Sequence, residues 1–211
     1  MNQNQIKTLA AVLMLIDHIG FMIDSKLMRI IGRFSFPLFC WVFAQNWKRP
    51  GDKKPMLMRI AIFSVISQIP HSLLFVNNEL SILTSLYICG VTLKNVKESS
   101  KHKILILCTG LIVSELVNAS YGWYTIACTV AMINFDEKSK TRWWVCWITI
   151  NLVYALTGKS IIQFAAVITP ILLKYHNPEK NRKPTELEKK FFYYFYPLHL
   201  AGLAAIRSII L

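Results

Sequence analysis

The sequence predicts an all-α, polytopic transmembrane helical bundle of about nine helices (range eight to ten), with its N-terminus cytoplasmic. Three observations predict this. The 211-residue chain is 54% hydrophobic with a mean hydropathy of +0.41, yet carries 24 Lys and Arg against 11 Asp and Glu. The charge lies in short clusters between apolar runs, the pattern of a membrane protein with basic loops. A nucleic-acid binder would gather it on one amphipathic face, so no nucleic-acid partner is expected. The clusters also alternate in strength along the chain, which gives the bundle a direction.

The apolar runs cover 7–24, 28–46, 57–76, 79–93, 104–118, 120–135, 143–158, 160–175 and 191–210. The first lacks a small-residue cleavage pattern and reads as a retained helix. In the second, Pro37 removes a helix hydrogen bond and predicts a kink. The third carries Pro70 and His71 near its far end, where His71 reads as a rim or capping residue. Several later runs have only about 15 residues, short of the ~20 a free span needs, which suggests tilted or buried helices or a thinned bilayer. His176 to Lys190 reads as a solvated linker before the last run.

Lys48, Arg49, Lys53 and Lys54 follow the second run, and Lys94, Lys97, Lys101 and Lys103 the fourth. Lys138, Lys140 and Arg142 follow the sixth; Lys174, Lys180, Arg182, Lys183, Lys189 and Lys190 follow the eighth. The opposite loops hold only Lys26, Arg29 and Lys159. Basic loops face the cytoplasm, so the N-terminus is expected there and the C-terminus outside, with residues 1–211 forming one integral membrane domain. Trp47, Trp123, Trp143, Trp144 and Trp147 fall near run ends, as an interfacial aromatic belt would. Cys40, Cys89, Cys108, Cys128 and Cys146 lie inside apolar runs with no paired spacing; they read as small buried hydrophobes rather than disulfides or metal ligands, and no metal is expected.

Chemistry concentrates in the first run, where Asp17 and His18 follow nine uncharged residues. Burying a carboxylate mid-helix costs about 2.5–3.5 kcal/mol on insertion scales, so such residues usually have a task. Lys7 and His18 are eleven positions apart, close to three turns, which places them on one face about 16 Å apart along the axis. Asp17 and His18 point about 100° apart, so Asp17 is expected to pair with a cation on another helix, Arg33 foremost. Arg29 and Arg33 share a face at i and i+4; Arg29 is near the end of its run and snorkels equally well. On the last run Tyr196 and His199 share a face, and Pro197, between them in sequence, frees a backbone carbonyl one turn earlier.

Taken in order, Lys7…Ile16-Asp17-His18-Ile19-Gly20, Arg29-Ile-Ile-Gly32-Arg33-Phe-Ser-Phe36-Pro37-Leu38-Phe39, Arg59…Ile66-Ser67-Gln68-Ile69-Pro70 and the terminal Phe-Tyr-Pro-Leu-His199-Leu resemble the TraX family over most of the chain. That family is named for the inner-membrane protein that acetylates the N-terminus of conjugative pilin. The Lys7–His18 spacing is also similar to an Arg/Lys-x10-His track in the wider superfamily of membrane acyltransferases. The chain departs from the family's pattern at Ser120, before the Tyr-Gly turn, and at His176-Asn-Pro-Glu.

The resemblance implies an acyltransferase in a bacterial inner membrane, with acetyl-CoA as donor and a pilin N-terminus or a glycan as acceptor. His18, Asp17 and His199 are then the catalytic candidates. Lys7, Arg59, Lys48 and Arg49 would hold the donor's phosphates, and Arg33, Arg29 and Tyr196 would meet the acceptor. The alternative is a non-enzymatic transporter or appendage-assembly factor, since buried Asp, His and Arg also suit proton-coupled transport.

Overall fold

A computed structural model describes residues 1–99, 101–135, 141–157 and 160–210. Among these residues the chain is helical and contains no strand, only an isolated bridge between Leu80 and Ala119. The helices are α1 (Gln3–Met22), α2 (Lys26–Gly32), α3 (Ser35–Lys48), α4 (Lys54–Phe75), α5 (Ile82–Glu98), α6 (Lys103–Leu116), α7 (Trp123–Ile133), α8 (Thr141–Leu156), α9 (Thr169–Leu173) and α10 (Glu186–Ile210). Short 3-10 segments cover Ile161–Ile168 and Pro178–Lys180. Every apolar run corresponds to a helical stretch, but two are broken.

The second run breaks between α2 and α3, where the sequence predicts a kink. Proline has no N–H, so Pro37 cannot bond back to the Arg33 carbonyl, and the helix restarts with Pro37 in its first turn. The eighth run is wound mostly as 3-10 helix and turns α-helical only at Thr169. The linker is shorter than expected, because α10 begins at Glu186. Lys138, Lys140 and Lys159, used in the loop-charge argument, lie outside the described residues.

The helices group into two compact units. The first comprises Met1–Arg49 and Ala127–Thr185; the second comprises Pro50–Ile126 and Glu186–Leu211. In the first, Asn2 caps α1 by accepting the Gln5 N–H at 2.8 Å, while the Gln5 side chain accepts the Asn2 N–H at 2.8 Å. This capping box satisfies two of the helix's orphan donors. Ser35 in α3 donates its hydroxyl to the Ala10 carbonyl at 2.8 Å, tying the start of α3 to the middle of α1.

In the second unit, Phe63 of α4 stacks on Tyr193 of α10 with centroids 5.4 Å apart, and Arg207 donates to the Leu74 carbonyl. The two contacts advance together along both helices, so α4 and α10 run side by side in the same sense. Gln68 closes the α4–α5 turn by accepting the Ser81 N–H at 2.9 Å and donating to the Glu79 carbonyl at 3.0 Å.

On α4 the polar stripe faces inward. Along α4, Ser64, Ser67 and His71 are buried, whereas Ile62, Val65, Ile69 and Leu73 are exposed. A soluble helix buries the opposite stripe; here the apolar face meets lipid. His71 lies near the end of α4, as expected, but faces inward and is 4% exposed. Trp147 also departs from the expected belt, being fully buried with its indole N–H donating to the Val167 carbonyl at 3.0 Å. Cys108 and Cys146 are exposed rather than buried, because they fall on the apolar outer faces of α6 and α8. Among the described residues, three stretches, Gln3–Met22, Lys26–Lys48 and Lys54–Phe75, are long and apolar enough to cross a bilayer. The protein is an all-helical membrane protein.

Candidate functional site

The first unit holds an ionic cluster built on α1 and α2. Asp17 is buried, and its carboxylate accepts Arg29 Nη1 at 2.9 Å, Arg33 Nε at 3.0 Å and Arg33 Nη2. The pairing with Arg33 expected from the sequence is present, and Arg29 joins it rather than snorkelling. Arg33 is 6% exposed, so both partners have left water; such a pair persists only when its remaining donors are also satisfied.

Gly32 makes this geometry possible. A Cβ at that position would lie 2.2 Å from the Asp17 Cβ and 2.5 Å from its Cα. Without one, α2 approaches α1 closely enough for two arginines one turn apart to reach a single carboxylate.

Sequence reasoning missed Gln163, a further member of the cluster. It is fully buried in the Ile161–Ile168 segment, and its Oε1 accepts Arg33 Nη1 at 3.4 Å. The available signal was a lone amide inside the apolar string Ile161-Ile162-Gln163-Phe164. His18, the next residue after Asp17, is 9% exposed and points away from the carboxylate's direction by about 100°.

Lys7 lies on the same helix. Since α1 is unbroken from Gln3 to Met22, the separation of about 16 Å between Lys7 and His18 holds. Gln3, one turn before Lys7, accepts Arg49 Nη2 at 2.5 Å and donates to Asn46 Oδ1 at 3.1 Å. These bonds place the C-terminal end of α3, with Lys48 and Arg49, at the Lys7 end of α1. His176 belongs to this end too. It packs edge-on against Trp41 at 4.8 Å and meets Asn181 at 3.3 Å, so it is not the solvated loop residue its basic surroundings suggest.

The second unit contains the other candidates. Arg59 is exposed on α4, 6.0 Å from the Tyr193 ring centroid. On α10, Tyr196 is buried, and its ring lies 5.6 Å from that of His199. His199 Nδ1 donates to the Phe195 carbonyl at 2.7 Å. A carbonyl only accepts, so Nδ1 carries the proton and Nε2 is the basic nitrogen. Among the described residues no group of three or more His, Cys, Asp or Glu is placed to hold a metal ion.

An uncharacterised protein of Rickettsia prowazekii (strain Madrid E) is 44% identical over 75 residues, covering 35% of this chain and 28% of that relative. The chain thus aligns with under a third of the relative's length. No solved structure matches the chain. The family described as TraX protein matches residues 2–207, nearly end to end, and the chain belongs to the TraX family.

Proposed function

We propose that this protein is an acetyltransferase of a bacterial inner membrane, moving the acetyl group of cytoplasmic acetyl-CoA to an amine or hydroxyl of a pilin N-terminus or a glycan. The observation that carries the reading is α1 itself. One unbroken helix presents a lysine at a basic end, shared with Lys48 and Arg49, and an imidazole about 16 Å further along, beside a buried carboxylate–arginine cluster. The family membership supports it.

In this reading Lys7, Lys48 and Arg49 attract the polyanionic end of the donor. Arg59, in the second unit, is a separate candidate for the same kind of ligand. The thioester end extends toward His18. The acceptor's nitrogen or oxygen attacks the acetyl carbonyl carbon, the C–S bond breaks, and the CoA thiolate leaves. His18 takes the acceptor's proton and passes it to the thiolate. Asp17, held by Arg29 and Arg33, fixes the neighbouring turn of α1 rather than touching the imidazole. In the second unit, His199 Nε2, with Tyr196 beside it, is a separate candidate for accepting a proton.

The test uses purified protein in lipid with acetyl-labelled acetyl-CoA and an acceptor peptide or sugar. Label transfer by the wild type and its loss in a folded His18→Ala variant are expected. Wild-type rates in that variant would remove His18 from the chemistry. A wild type that does not bind acetyl-CoA at millimolar concentration would favour a transporter or assembly factor.

A further inference from the structure

The segment Ile161–Ile168 is an unusually long run of 3-10 helix. With three residues per turn, positions i, i+3 and i+6 fall on one face. Gln163, Ala166 and Thr169 therefore form a single strip, and all three are fully buried. An α-helical winding would have put Gln163 and Thr169 on different faces. The two ends of the strip lie about 12 Å apart at a rise of ~2.0 Å per residue.

Both ends carry polar atoms with no hydrogen-bond partner. At one end this is Gln163 Nε2, at the other Thr169 Oγ1, with the small Ala166 between. The orientation of the Gln163 amide is not arbitrary. Arg33 Nη1 can only donate, so Oε1 must face it, and the amide's two N–H donors point the other way. The hydrogen bond from a guanidinium also polarises the amide and strengthens those donors. Arg33 is itself held by Asp17, so the donor group is fixed before any ligand arrives.

We infer that this strip binds the neutral, carbonyl-bearing part of an acyl thioester, with Gln163 Nε2 donating to the acyl carbonyl oxygen and Thr169 meeting an amide of the arm behind it. The inference rests on the acetyl-transfer reading and gives that site its carbonyl-recognising group. A neutral ligand suits the strip because it carries no charged side chain of its own. The carbonyl oxygen gains negative charge when the acceptor attacks, and a fixed donor in a water-free setting is most effective at that moment.

The experiment compares binding of acetyl-CoA with that of S-ethyl-CoA, the thioether lacking the carbonyl, to purified protein in lipid. Wild type should prefer acetyl-CoA by at least about fivefold, the worth of one hydrogen bond. Gln163→Leu should abolish that preference while holding S-ethyl-CoA within about twofold, and should lower turnover roughly 10²-fold or more, the cost of losing one such donor. Gln163→Glu keeps an oxygen for Arg33 but removes the donors, and should behave the same way. If both variants keep the wild-type preference, the proposal is overturned. It is also overturned if Gln163→Leu loses both compounds equally, which marks a structural role. A wild type that binds both compounds equally refutes the strip alone; one that binds neither refutes the donor reading beneath it.

Discussion

Gly32 and Asp17 are in backbone-to-backbone contact across the α1–α2 pair, so that a methyl group at position 32 would fall 2.2 Å from the Asp17 Cβ. The carboxylate is buried because this contact exists, and the two arginines reach it for the same reason.

Gly32→Ala should therefore push the helices apart and loosen both ion pairs. The expected cost is about 1–3 kcal/mol, the range for overpacking a tight contact. Denaturant unfolding in micelles measures it; a variant as stable as wild type would show that the pair accommodates the methyl freely.

Removing Asp17 leaves Arg33 buried beside a second guanidinium. Asp17→Leu is expected to cost about 3–5 kcal/mol, the usual penalty for breaking a buried pair from one side. The double variant Asp17→Leu, Arg33→Leu should lose less than the sum of the single losses. Additive losses in a double-mutant cycle would mean that the two side chains are not coupled.

Lys7 is predicted to act on donor affinity rather than on chemistry. Lys7→Ala should raise the KM for acetyl-CoA several-fold with a smaller change in kcat, and raising salt should weaken wild-type binding more than the variant's. An unchanged KM removes Lys7 from the donor site.

His199 can be divided nitrogen by nitrogen. His199→Asn leaves a side-chain amide near the position of Nδ1, able to donate to the Phe195 carbonyl, but has nothing in place of Nε2. If Nε2 accepts a proton during turnover, this variant stays folded and loses activity by about 10²-fold or more. Full activity would assign His199 to packing.

The sequence made some of this legible and hid the rest for physical reasons. Asp17 and Arg33 could be paired in advance because charges inside apolar runs have few affordable solutions, and a short connection limits which cation is near. Gln163 was hidden because a neutral amide in a greasy string carries no comparable penalty signal. That it shares a face with Thr169 follows from a 3-10 winding that an α-helical count of 3.6 would misplace. Trp147 and His71 were assigned to membrane edges by their distance from run ends. The folded chain instead buries both, and for Trp147 the inward position supplies the Val167 carbonyl to its indole N–H.

The Asp17 cluster also constrains how the chain enters a membrane. Gln3–Met22 by itself carries a buried carboxylate, and Lys26–Lys48 by itself carries two guanidiniums, each about 2.5–3.5 kcal/mol uphill at a helix centre. Delivered one after the other, each would stall in the translocation channel or slip toward the interface. Delivered as a hairpin already closed at Gly32, the carboxylate enters paired with both guanidiniums, and three separate charges fall to a net single positive one. The smallest competent insertion intermediate is therefore the first two spans together, and a truncation ending at Met22 should integrate poorly where one ending at Lys48 integrates well.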